Sequence, residues 1–148
     1  MLYRFAFGDY WGDGHKEFEE VWISCPDKRF INDAIVSIKQ KYGEHFFNDF
    51  AADYERPYIS DTVCQALEDA NYPLDQVFLK SDCWPEIYPH ITSIRDIAKE
   101  SGNDFCLYID AVIDMFIHLL NYHGAHITVL QDAPFEVITT DVGYGCFS

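Results

Sequence analysis

A chain of 148 residues is long enough to bury one hydrophobic core without help from metal or disulfide, and 49% apolar with 17% aromatic residues excludes a disordered chain. Twenty-five acidic against ten basic side chains give a formal charge of −15, a field that repels nucleic acid and anionic membranes and favours basic protein surfaces or cations. No Lys or Arg follows Lys99, and between Glu44 and Asp75 Arg56 is the only base against eight carboxylates.

In chain order, "LYRFAF" and "FEEVWIS" are aromatic and β-branched runs on either side of the glycine-rich "FGDYWGDGHKEF", which predicts an antiparallel hairpin turning across residues 8–16. "CPDKRFINDAIVSIKQKYG" predicts a helix near 27–42. Pro26 and Asp27 stand at its start, Gly43 closes it, and Phe30, Ala34 or Ile35, Ile38 and Tyr42 form the inward face. "EHFFNDFAADYERPYI" has no clear period. "SDTVCQALEDANYP" predicts a short helix capped by Ser60 or Asp61 and ended by Pro73. "LDQVFLKSDCWPEIYPH" reads as connecting chain because of Pro85 and Pro89. "TSIRDIAKESG" predicts another short helix, capped by Thr92 or Ser93.

The strongest helical signal is "NDFCLYIDAVIDMFIHLLNYHG", a long buried helix near 104–123 closed by Gly124. Asp110, Asp114 and His118 within it argue against a membrane span, because charge at a bilayer centre is expensive. "AHITVLQDAPFEVITTDVGYGCF" reads as two or three strands with a turn at Asp132–Pro134. Strands, then helices, then strands predict a single α+β domain over 1–148, with an antiparallel sheet from the N- and C-terminal strands packed against helices.

Five cysteines (Cys25, Cys64, Cys83, Cys106 and Cys146) form no C-x-x-C pair, so no zinc ribbon or thioredoxin-like motif is predicted. The N-terminus lacks the apolar core and cleavage site of a secretory signal, and the expected setting is a reducing cytoplasm with free thiols. No structural metal and no cofactor are expected.

The opening stretch is the first candidate site. From Asp9 as position one, Asp13, Gly14, Glu17 and Glu20 fall at positions five, six, nine and twelve of an EF-hand loop. Trp11 at position three, Lys16 at position eight and the strand-like flanks oppose calcium. The plainer reading is a hairpin connection with Trp11 folded back onto the sheet. Loops held by rigid strands often carry function, so Asp9, Trp11, Asp13 and His15 are candidate binding residues. Asp141 and Tyr144 join them if the last strand lies beside the first.

"FGDYWGDGH" near the start and "VGYG" near the end resemble a set of small proteins of Firmicutes and their phages that open on a G-D-W-x-G-D-G-H type stretch and close in G-Y-G. The resemblance covers the two termini. It implies a phage or mobile-element context, and no catalytic residues come with it.

Asp110, Asp114 and His118 recur every four residues and share one helix face with Asn121. Such a stripe could hold a divalent metal, or let Asp114 orient His118 as a base. The commoner role is the polar edge of an otherwise apolar helix. His118, His123 and His126 lack the spacing of H-E-x-x-H, and histidines at a helix end more often meet its carbonyls. No nucleophile elbow or phosphate-binding loop is present, and no catalytic residue is assigned.

Three functions are therefore weighed. The first is a non-enzymatic acidic inhibitor whose carboxylates, among them Asp49, Asp53, Glu55, Glu68 and Asp69, imitate a phosphate backbone. They would occupy the basic surface of a host nuclease or nucleic-acid-binding effector, as an anti-CRISPR or nuclease inhibitor does. The second is a small-ligand protein, binding a nucleotide signal through the GDYWGDGH loop. The third is a metal-dependent enzyme on the Asp110, Asp114, His118 stripe. Direct binding to nucleic acid or membrane is not expected.

Overall fold

A computed structural model describes residues 2–10, 16–47, 60–80, 86, 88–100, 109–130 and 140–143. Two long strands, β1 (Leu2–Tyr10) and β2 (Lys16–Ser24), pair antiparallel in unbroken register from Leu2↔Ser24 to Tyr10↔Lys16. Pairing thus continues closer to the turn than the 8–16 span predicts, leaving residues 11–15 as the connection.

Helix α1 (Lys28–Tyr42) follows. The Asp27 carboxylate accepts from Arg29 N at 2.9 Å as N-cap, and Gly43 closes the helix by donating its N–H to Lys39 O at 2.8 Å. Gly43 has φ +114 and ψ 154, a region open essentially to glycine alone. The inward stripe is Ile31, Ala34, Ile35 and Ile38. Phe30, predicted inward, is instead 42% exposed, because the helix turns its stripe one residue onward to put Ile31 in the core.

Ser60 is the N-cap of α2 (Asp61–Asp69), its Oγ accepting from Val63 N at 3.3 Å. The next segment departs from expectation, since Leu74–Lys80 forms α3 where connecting chain is predicted. α2 does not run to Pro73 as predicted: it closes at Ala70 and the left-handed Asn71, with Tyr72 N donating to Leu67 O, and Pro73 instead starts α3, its carbonyl accepting from Gln76 N at 3.1 Å. A proline lacks an N–H that a first helical turn would not use. In α4 (Ile94–Glu100) the Ser93 Oγ accepts from Asp96 N as N-cap, and the Asp96 carboxylate reaches back to Thr92 N and Oγ1, a relative of the capping box displaced by one residue.

Helix α5 (Ile109–Tyr122) is the centre of the molecule, packing against α1, α2 and α3. From Ala111 to Leu120 every residue is buried except Asp114 and His118. Its predicted first turn, 103–108, lies outside the described residues. Tyr3 and Ile23 of the sheet, Phe46, Phe47 and Phe116 share its core, with the Phe47 and Phe116 rings 5.2 Å apart.

The expected α+β architecture is present. The sheet has four strands in the order β3-β2-β1-β4, completed by β3 (Thr128–Leu130) and β4 (Thr140–Gly143). β3 joins β2 antiparallel, but β4 runs parallel to β1. The sheet is therefore mixed at one edge. β3 and β4 point the same way from opposite edges, so the later strand meets β1 in parallel.

Candidate functional site

The hairpin is the longest feature that the other strands leave uncovered. β4 pairs β1 only over Tyr3–Ala6, and β3 pairs β2 only over Trp22–Ser24. Among the described residues, the rungs from Phe7↔Glu19 to Tyr10↔Lys16 thus form a two-stranded ribbon beyond the four-stranded part. Its register sets Asp9 directly opposite Glu17, with Glu19 opposite Phe7. The ribbon thus holds Asp9, Glu17 and Glu19 against one base, Lys16, and like charges at opposed positions in general weaken a ladder.

The same register disposes of the EF-hand geometry. Asp9 and Glu17 are rungs of one ladder, and Glu20 faces Ala6. Asp9, Tyr10 and Lys16–Glu20 are thus strand residues and not part of a loop that wraps an ion. Trp11, Asp13, His15 and Tyr144 lie outside the described residues. Asp141 is brought beside β1, at the register of Arg4, five residues from Asp9. At the rise of an extended strand this is a separation of roughly 17 Å, so Asp9 and Asp141 do not converge.

On α5 the polar stripe is occupied from within. Tyr72 Oη donates to the Asp114 carboxylate at 2.6 Å. His118 Nε2 lies 2.8 Å from Ala70 O, which requires the proton on that nitrogen. The Tyr72 and His118 rings meet edge-on at 5.2 Å. Together they clamp the α2–α3 turn, where Asn71 adopts φ +54, a conformation asparagine tolerates. Burial, then the bond to Asp114, pushes the Tyr72 hydroxyl well above its ordinary pKa. Asn121 holds Ile127 through both ends of its amide, at 3.0 and 2.6 Å. The side chain of Asp110 is not among those described. Among the described residues no group of three His, Cys, Asp or Glu is placed to hold a metal ion.

The predicted acidic surface is divided in the same way. Asp49, Asp53 and Glu55 lie outside the described residues. Glu68 takes the Arg95 guanidinium at 3.0 Å, and Arg95 also bonds Gln65 Oε1. Asp69 accepts from Tyr42 Oη at 2.6 Å and from Gln65 Nε2 at 2.9 Å, with Lys41 at 3.9 Å. The Tyr42 and Gln65 hydrogen bonds hold Asp69 below the usual carboxylate range. Two of the five predicted contact acids therefore already have internal cations or donors. Sequence reasoning missed Tyr42 and Arg95 as partners of these two acids, and Tyr72 as the partner of Asp114, since nothing local links residues 27 to 42 positions apart.

A cleft of about 660 Å³ lies at the C-terminal end of α1, lined by Val36, Lys39, Gln40, Gly43, Glu44 and His45. It is open, and its one lysine and one glutamate offset each other, so it has no charge preference for a ligand. No helix among the described residues is long and apolar enough to cross a membrane. Comparison with protein-family models, curated proteins and solved structures gave no match.

Proposed function

We propose that the protein is a non-enzymatic acidic interaction protein that blocks a basic, nucleic-acid-binding surface on another protein. The hairpin ribbon is its leading contact. The reading is carried by the opposed positions of Asp9 and Glu17, a like-charge rung that costs stability and is relieved by an incoming lysine or arginine. The chain-wide charge of −15 supports it, since complementary fields speed encounter and disfavour wrong partners. The resemblance of both termini to phage proteins suits an anti-defence role against a nuclease or guided effector. The occupied α5 stripe counts against the enzyme reading, because Asp114 and His118 are engaged by Tyr72 and Ala70.

The test is capture from a host lysate at two salt concentrations, followed by association kinetics with the captured protein. A nucleic-acid-binding protein retained at low salt and released at high salt is the expected result. Charge reversal at Glu17, Glu19 and Glu20 should slow association by about tenfold or more while the fold persists. Binding indifferent to those reversals and lost on Trp11→Ala would replace this reading with a loop-centred site.

A further inference from the structure

In a chain of net charge −15, residues 115–131 hold no Asp, Glu, Lys or Arg, and no other stretch of the sequence runs as long without one. The fold brings the second half of this stretch to the surface. It leaves α5 beside α1, with His123 Nδ1 3.3 Å from Ser37 Oγ and the His126 ring edge-on to Phe30 at 5.9 Å, and then becomes β3. Of the five large apolar side chains exposed among the described residues, three stand along this path: Phe30, Tyr122 and Val129. The surface here is therefore both uncharged and apolar.

β3 is also an edge. In the order β3-β2-β1-β4 it has β2 on one side and, among the described residues, no strand on the other. An edge strand offers its outward N–H and C=O groups to any strand that can approach. Just before β3 that demand is met inside the chain. The Asn121 amide accepts from the Ile127 N–H at 2.6 Å and donates to the Ile127 C=O at 3.0 Å, the double exchange that a neighbouring strand would make. Among the described residues no side chain does the same for Thr128–Leu130, and Val129 at its middle is 49% exposed.

We propose that this neutral edge is where two copies of the chain meet: β3 of one copy pairs antiparallel with β3 of the other about a two-fold axis, Val129 at the centre, joining the two sheets into one.

Charge selects the place. Two molecules of −15 repel each other, and a contact through the hairpin or α2 would set carboxylate against carboxylate. At β3 neither copy brings a charge from the strand. Helix α1 alongside carries Lys28, Arg29, Lys39 and Lys41 against Asp27 at its cap and Asp33, so the neighbourhood is not acidic. Antiparallel pairing of identical strands is self-complementary, as a two-fold contact must be. Phe30, Tyr122 and His126 beside the strand supply apolar area that a short ladder alone would lack. A basic partner finds no acid here, so this contact and the hairpin contact proposed above stand or fall separately.

The experiment is sedimentation equilibrium of the full chain from about 5 µM to about 500 µM at low and high salt, with amide hydrogen exchange at both ends of that range. Expected is a monomer–dimer equilibrium whose Kd falls about threefold or more as salt screens the repulsion between copies. Exchange at Val129 and its neighbours should slow in the concentrated sample. Val129→Lys, which charges an exposed edge, should raise the Kd about tenfold or more while the dilute chain melts as before. Phe30→Lys, outside the sheet, should weaken the dimer too and keeps the test sound if Val129→Lys folds poorly. Val36→Lys, in the open cleft of α1, should leave the Kd unchanged. A chain still monomeric at about 500 µM would overturn the proposal. So would a dimer that weakens with salt, the mark of an acidic hairpin seated on the basic α1 of its neighbour, or one that Val129→Lys or Phe30→Lys leaves intact.

Discussion

At the scale of single residues, the 2.6 Å bond between Tyr72 and Asp114 shows what a carboxylate does on a helix that is otherwise apolar. Tyr72 is 7% exposed, so removing its acceptor leaves a buried hydroxyl unmatched. Asp114→Ala should cost about 1–3 kcal/mol in urea unfolding. Tyr72→Phe combined with it should cost less than the sum of the two changes, the signature of a shared contact. Cys64 gives a second check. It is fully buried, and burial pushes its thiol up to about 11, so an alkylating reagent at pH 8 should modify it only after denaturation. The pH response divides into separate windows. The depressed Asp69 and Asp96 add stability that is present above their unfolded value of 3.8 and lost as pH falls below it. The raised Tyr42 and Tyr72, with ordinary values of 10.0, keep theirs up to about that pH and lose it as alkalinity increases. A thermal melt across pH should fall at both ends.

At the scale of elements, the helices are held by caps and a shared core. Ser60→Ala removes the acceptor for Val63 N and should cost about 1 kcal/mol. Gly43→Ala meets no atom within 4 Å, so its penalty is conformational, about 1–3 kcal/mol from forcing a Cβ into a glycine-only region. Phe116→Ala at the centre of α5 should be the severest of these, about 3–5 kcal/mol. The hairpin should behave in the opposite way. Glu17→Lys turns the like-charge rung with Asp9 into an attractive one and should raise hairpin stability by roughly 0.2–1 kcal/mol, while slowing capture of a basic partner. A gain in melting temperature together with a loss in association rate would tie the acidic ribbon to binding. A gain with binding unchanged would detach it.

At the scale of the molecule, charge is segregated as well as abundant. Helix α1 carries Lys28, Arg29, Lys39 and Lys41 against Asp33, although the chain as a whole is strongly acidic. Some of that base is spent at home, since Arg29 pairs with Asp27 and Lys41 approaches Asp69. The hairpin adds Asp9, Glu17, Glu19 and Glu20 to the acidic side of that balance. Association with a basic partner should weaken steeply between 0.15 M and 1 M salt, as the screening length shrinks from about 8 Å to about 3 Å. Reversing Glu68 or Asp69 would be a poor test of that idea, because either change also breaks the contacts with Arg95 or Tyr42.

The sequence by itself determined the acidic character, the α+β class, the hairpin, both ends of α1, the start of α2 and the C-terminal end of α5. Each of these follows from residues within about four positions of one another: Asp27 capping the turn above it, Gly43 taking a φ closed to other residues, the apolar run of α5. Tertiary structure alone decided that β4 runs parallel to β1 and that Pro73 begins a helix. It alone turned the Asp114–His118 stripe inward onto Tyr72 and Ala70, and brought His123 to Ser37 across 86 positions. Periodicity reports which face of an element is apolar, but it does not name the element that covers that face. The partner of a buried polar group is chosen by how the whole chain packs, and that choice turned apparent site residues into clamps.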